Sequence, residues 1–551
     1  MFNHLFNSRT KTVTFAAILL AISALISGIL SLIGDGLLAG RFGVWGETNI
    51  YFAAFKIPDL VYNLLIVGGL TISFLPIFSE YYQKDPKSAW EMTNYALNVF
   101  LFFLILVSLI LFIFTPQLIH FVAPGFSLEQ KEKTVLLTRL MFLSPIFFGL
   151  SSIFSSILQY FDRFLIYSLC PILYNLGIIF GILVLSPKFG IFGVGAGVIL
   201  GALFHWLIQI PSAINCGFRY QFLFNLKYPA IKRIFSLMFP RIFAVAAQQI
   251  NLIIITAIAS TILGAISIFN FANNLQNFPV GIIGVSFAIA VFPVLSRTWA
   301  NGQKKEFFEN FSLTFRQILY LIIPISLLVF ILRAQIVRLV LGTLGKEFDW
   351  TATRLTAASL GVFSISILAS ALIPFLYRAF FSLQDTKTPT KISIFSIILN
   401  IILAFSFTHF LNSQNLFSRF FINLLKLKGI ENISALALPL AFSLASIFQF
   451  LLLLIFFQKK IDDFEKKEIF SSLKKIILAS IFLIFLTYFS LYFFSRFLNT
   501  HTVFGLLIQT ILAGLIGAIF YLLVTFYLKS PELKTIKSSI LKQFRDEELR
   551  E

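Results

Sequence analysis

Residues 52–79 read FAAFKIPDLVYNLLIVGGLTISFLPIFS, and residues 271–296 read FANNLQNFPVGIIGVSFAIAVFPVLS. Both open on Phe-Ala, carry an internal proline (Pro58 and Pro279) and close on matching segments, FLPIFS against VFPVLS. Each is long and apolar enough to cross a bilayer core of about 30 Å as a helix. The copies lie about 220 residues apart, a period of roughly six such helices. This implies a duplicated helix bundle with a substrate path between its halves, which is the architecture of a transporter.

Composition points the same way. The chain has 551 residues, 58% of them hydrophobic and 12% charged, with a mean hydropathy of +0.91. A soluble domain carries about twice that charge. The apolar runs are continuous rather than alternating, which excludes a membrane β-barrel. The 70 phenylalanines are read as lipid-facing and packing residues. Net charge is +19, yet the basic residues lie in short loops and near the C-terminus, so they describe membrane orientation and not a nucleic-acid surface. Cys170 and Cys216 suggest neither a disulfide framework nor a metal pair, and no cofactor is expected. The first apolar run is too long for a cleavable signal.

The expected fold is an all-α polytopic membrane protein of about 14 transmembrane helices, in two pseudo-symmetric six-helix lobes plus two C-terminal helices. The N-lobe covers 1–216 and an amphipathic cytoplasmic linker covers 217–234. The C-lobe covers 235–460, and the last two helices with a charged tail cover 461–551. With the N-terminus cytoplasmic, inside loops collect roughly 27 basic residues and outside loops about 12, so both termini are placed in the cytoplasm.

Several segments resemble the MurJ/MviN lipid II flippases of the multidrug/oligosaccharidyl-lipid/polysaccharide exporter superfamily. They are FKIPDL (55–60) continuing to LPIFSEY (75–81), APGF (123–126), GVILGA (197–202) with His205, Gln209 and Pro211, LMFPR (237–241) with QIN (249–251), and YRAFFSLQDTKTP (377–389). They occur in family order along nearly the whole chain. The resemblance implies a bacterial inner-membrane transporter, not an enzyme. Its substrate would be undecaprenyl-linked lipid II or a similar lipid-linked glycan, with membrane lipids and cell-wall synthases as further partners and no nucleic acid.

Such a substrate carries a pyrophosphate and a polar head that must not be stripped of water without compensation. A polar cavity with cations is therefore required, and ionisable residues inside spans become the candidates. Lys56 matches the family's F-K-[LI]-P context; the bland alternative is snorkelling to an interface. Asp35 stands between two glycines after the first span, either pairing with a cavity cation or marking a polar turn. Arg378 and Arg241 either reach the pyrophosphate or anchor at an interface. Gln249, Asn273 and Asn274 belong to a polar group on the seventh and eighth spans that includes Asn277, lining a cavity or bonding helix to helix. Asp385 is expected to cap the eleventh span. His205 is expected to make an ordinary helix contact.

The sequence also departs from the family. Gly28 and Gly34 stand where the first span usually has arginines, Asn273-Asn274 where the eighth usually has an acid and an arginine, and Val67 and Asn49 where the second usually has acids. Three functions stay open: a lipid II flippase using Lys56, Arg378 and Arg241, a flippase for another polyprenyl-linked glycan, and a non-transporting envelope scaffold. A cation-coupled drug exporter would need more buried acids, and a polytopic transferase would need paired carboxylates in an outer loop.

Overall fold

The computed structural model describes residues 13–413, 415–430, 432–460 and 466–533, with the side chains of 13–18, 71–72, 240–241, 243–244 and 466 outside that description. Every expected span appears as a helix. The fourteen are Val13–Phe42, Glu47–Lys84, Pro86–Val122, Leu128–Tyr160, Phe164–Phe189, Ile191–Asn215, Pro229–Ser260, Ala265–Ala300, Lys304–Val340, Trp350–Ser382, Lys387–Asn412, Ser434–Lys460, Lys466–Phe494 and Val503–Tyr527. Thirteen of them are long and apolar enough to cross a membrane; the described apolar part of the seventh is Val245–Ser260. Helices dominate because lipid offers backbone groups no hydrogen-bond partner, so each span must satisfy its own.

The two quoted copies share an irregularity that composition did not announce. In the second span, π-helical backbone at Tyr62–Leu70 follows Pro58. In the eighth, a π segment at Val280–Val285 follows Pro279 directly. Proline withdraws a backbone donor from each helix, and in both copies the widened turns lie on its C-terminal side.

The chain divides into two compact units. One runs to Ser267 and takes in Leu344–Phe348; the other holds Ile268–Thr343 and the residues from Asp349 onward. In the first unit the fifth and sixth spans meet backbone to backbone at glycines. A Cβ on Gly177 would lie 2.3 Å from Gly201 Cα, and one on Gly181 would lie 2.6 Å from Gly197 Cα. Small residues permit the close approach that replaces hydrophobic drive inside lipid. A buried polar network runs beside this seam: Ser151 Oγ lies 2.7 Å from His205 Nδ1, and Ser155 Oγ donates to Gln209 Oε1 at 2.9 Å. His205 is thus the helix contact expected of it.

The linker between the sixth and seventh spans is an extended strap, with helix resuming at Pro229. Two buried asparagines of the third span hold it. Asn94 Nδ2 donates to Arg219 O at 3.0 Å, and its Oδ1 accepts from Gln221 N at 2.8 Å. Asn98 Nδ2 donates to the carbonyls of Gln221 and Leu223, and Tyr220 Oη donates back to Asn98 Oδ1 at 2.9 Å.

In the second unit, Phe311 stacks on Phe457 at 4.6 Å and packs tilted against Phe375 at 4.9 Å. The thirteenth and fourteenth spans dock on the ninth. Tyr521 Oη donates to Tyr320 O at 2.8 Å. Glu532, 1% exposed, accepts from Ser472 and Ser530 and faces Arg316, which also pairs with Glu468 at 3.1 Å. A buried carboxylate tolerates that position because charge and hydrogen bonds surround it.

Asp385 caps the eleventh span as expected, its Oδ1 accepting from Thr388 N at 3.0 Å, and it also pairs with Lys460. Burial pushes the carboxyl upward, but hydrogen bonds from Lys460 and Thr388 outweigh it and hold it at about 2. A depressed folded-state pKa stabilises above the ordinary carboxylate value, and that contribution is lost as pH falls through the folded one. Asp385→Asn is therefore expected to lower thermal stability in detergent by on the order of 1 kcal/mol. The deficit should persist undiminished from pH 8 to pH 5, and a deficit already gone at pH 5 would refute the assignment.

Candidate functional site

In the first unit the polar groups converge on the second span. Lys56 lies nine residues beyond Glu47, roughly 14 Å along the helix. It is half-buried, and no carboxylate lies within 4 Å of it among the described residues. Asp59 follows one turn later on the same helix, close enough for the two charges to interact. Asp59 lies within the quoted FKIPDL segment, three residues beyond Lys56. Tyr51, Tyr62 and Tyr174 lie in the surroundings of Asp59. Asn63 Nδ2 donates to Asp59 O at 2.9 Å.

Asp35 belongs to this neighbourhood, in the surroundings of Tyr51. The first helix continues to Phe42, so Asp35 lies inside it and not in a turn after it. A span packed against neighbours tolerates the flanking glycines in its interior. Below Asp59, the π segment closes on the seventh span: a Cβ on Gly68 would lie 3.1 Å from Val245 Cγ2, and one on Gly69 2.3 Å from Met238 Cε. Gln249 is half-buried on that seventh helix. Arg241 falls on it too, with its side chain outside the described residues.

In the second unit the asparagine group divides. Asn273 and Asn274 are half-buried, while Asn277 is exposed. Fully buried Gln276 donates to Asn273 Oδ1 at 3.0 Å, and its own Oε1 has no partner among the described residues. Arg378 is half-buried one turn from the end of the tenth span, over the Phe292 ring at 5.5 Å and with no carboxylate within 4 Å among the described residues. A cation on an aromatic face keeps its donors free for an anion. Neighbouring Tyr377 bonds to Gln449.

The first unit also carries a glycine-built seal where several helix ends meet. A Cβ on Gly40 would lie 2.6 Å from Gly345 N, and one on Gly345 would lie 2.0 Å from Gly40 O. Gly43, with φ +63°, faces Glu347 O, and Glu347 N donates to Gly40 O at 3.2 Å. Gly125 N donates to Ser260 Oγ at 3.0 Å, and Gly264, with φ +72°, lies under the Trp45 ring. Asn49 Oδ1 accepts from both the amide and the hydroxyl of Ser267.

Cationic and polar residues inside long spans, prolines with π segments in paired copies, and close glycine contacts define a multi-pass membrane protein of transporter fold. Solved structures with this fold include a lipid II flippase MurJ in an inward closed conformation, with a TM-score of 0.73 and 24% identity over 93% of this chain and 99% of that one. An inward-facing MATE-family multidrug transporter matches at a TM-score of 0.63 and 11% identity over 82% and 99%. The chain belongs to the lipid II flippase MurJ family, whose model matches residues 38–513. A relative from Buchnera aphidicola of Acyrthosiphon pisum, named "Probable lipid II flippase MurJ", is 33% identical over 69% of this chain and 75% of its own. The lipid II flippase MurJ of Burkholderia cenocepacia is 28% identical over 67% and 73%.

Proposed function

We propose that this chain carries lipid II, or a closely similar polyprenyl-pyrophosphate glycan, from the cytoplasmic to the outer leaflet of a bacterial inner membrane by alternating access. The observation that carries this is Lys56: a half-buried ammonium inside a span, without a carboxylate within 4 Å among the described residues, in a chain of this family. A cation at that depth without a direct ion pair is costly, and a pyrophosphate supplies one. Arg378, Arg241, Asp35, Gln249, Asn273 and Asn274 are assigned to the same substrate path. Both termini face the cytoplasm in this reading, which places the glycine seal on the outer side.

Chemically, the protein forms and breaks no bond. Polar groups replace water around the head while the tail stays in lipid, and reorientation of the π-bearing spans exposes the head to the other side. The missing family charges at Gly28, Gly34, Asn273 and Asn274 favour a second reading in which the transported head group is a different glycan on the same carrier.

The deciding experiment is rescue of a bacterium depleted of its own lipid II flippase, scored by labelling lipid II in the outer leaflet. Rescue is the expected result. Well-expressed protein without rescue would transfer the assignment to another polyprenyl-linked glycan, to be identified by mass spectrometry of co-purified lipid.

A further inference from the structure

Outside the substrate path, the first unit carries two apolar cavities arranged end to end along one seam. The cavity nearer the linker, about 540 Å³, is lined by Leu97 and Leu101 of the third span, Leu150 and Phe154 of the fourth, and Trp206 of the sixth, with Arg219 of the strap at its edge. The other, about 480 Å³, is lined by Ile105, Leu109 and Phe112 of the third span and by Leu143 and Ile146 of the fourth, with Arg139 at its edge. Ser108 also faces it, buried and with no partner for its hydroxyl among the described residues.

The spacing shows that this is one surface. Leu97, Leu101, Ile105, Leu109 and Phe112 recur every three to four residues, a single face of the third helix. Leu143, Ile146, Leu150 and Phe154 do the same on the antiparallel fourth. From Leu97 to Phe112 the helix rises roughly 22 Å, most of a hydrocarbon core of about 30 Å. Leu109 is 54% exposed and Ile105 46%, so the face is open to the membrane.

An arginine stands at each end. Neither Arg219 nor Arg139 has a carboxylate within 4 Å among the described residues. Arg139 is held over the Phe112 ring at 4.9 Å, with its Nε donating to Phe112 O, which leaves the rest of the guanidinium free. The strap that carries Arg219 is fixed in place by Asn94 and Asn98. The helix ends and the strap bearing Arg219 lie on the cytoplasmic side in the proposed topology, and Arg139 lies on the other.

We propose that this seam is a binding site for anionic phospholipid, one molecule in each leaflet, with an acyl chain along the third and fourth spans and the phosphate on Arg219 or Arg139. Apolar cavities of about 300–1,000 Å³ with one or two placed polar groups are typical ligand sites. Guanidinium favours phosphate by geometry as well as charge. Anionic lipid is the membrane component complementary to both ends of the seam.

The test is native mass spectrometry of the full chain in detergent, titrated separately with phosphatidylglycerol and with phosphatidylcholine of the same acyl composition. Phosphatidylglycerol is expected to bind at least roughly tenfold more tightly. Arg219→Gln and Arg139→Gln should each remove that preference from one bound lipid. Leu101→Trp and Leu109→Trp, which fill the seam from its two halves, should weaken both lipids. Equal binding of the two lipids to the unaltered chain overturns the arginine clamp. Unchanged binding to both tryptophan variants overturns the seam. Stronger competition by undecaprenyl phosphate, removed by those same tryptophans, overturns the phospholipid and assigns the seam to a polyprenyl tail. Each outcome is read as lipid retention, so flippase rescue stands or falls separately.

Discussion

Lys56→Ala is expected to reduce outer-leaflet appearance of lipid II by at least about 30-fold while leaving the amount of protein in the membrane unchanged. The size follows from removing a desolvated charge that holds another charge, which costs roughly 2–5 kcal/mol. Lys56→Arg should keep most of the activity, since the charge and its donors remain. Stability should change little, because Lys56 has no ion pair within 4 Å to lose among the described residues. Asp59 shares the helix and the field of Lys56. Asp59→Asn should therefore impair transport more mildly and leave Lys56 over-attractive to anions, seen as tighter substrate retention. Full activity of Lys56→Ala at normal protein levels would remove Lys56 from the mechanism.

Gly40→Val is expected to abolish transport for a different reason. Its Cβ would lie 2.6 Å from the backbone of Leu344 and Gly345, which has no flexible end to move aside. The sealed arrangement of the first unit could then not form. A penalty of about 5.5 kcal/mol turns a 99:1 equilibrium into 1:99, and an overlap with backbone forces one of the two segments to shift. Thr48 reports the change: it is fully buried, with its hydroxyl donating to Gly43 O at 2.6 Å. In a Thr48→Cys background, an impermeant maleimide should label the Gly40→Val chain at least tenfold faster than the parent. Gly46→Ala is the control, since nothing lies within 4 Å of the added carbon. Equal labelling of parent and Gly40→Val chains would show that the contact is not part of a gate.

How far the sequence reached can be judged residue by residue. Lys56 was legible because a charge in an apolar run is expensive wherever the run folds. Asp385 was legible because capping is local, with its amide partner three residues on. Asp35 was misplaced because glycine signals both a helix end and a close helix contact, and only the neighbours decide between them. Periodicity groups the asparagines on a face but does not say what covers it: Asn273 and Asn274 are half-buried and Asn277 is exposed. The role of Asn94 and Asn98 could not be foreseen at all, since their partners lie about 125 residues away on a strap without periodic structure.

By itself, then, the sequence determined the class, the fourteen helices, the duplicated copies and the chemical identity of the cation in the second span. These rest on terms each segment carries alone: the need to satisfy every backbone group within lipid and the cost of a charge there. Tertiary structure alone decided that Gly40 meets Gly345, that both copies widen into π turns, and that Arg219 and Arg139 end one apolar seam. Those are pairings between distant segments, made by shape at close range, and a small residue or an arginine looks the same in the sequence whether or not its partner is there.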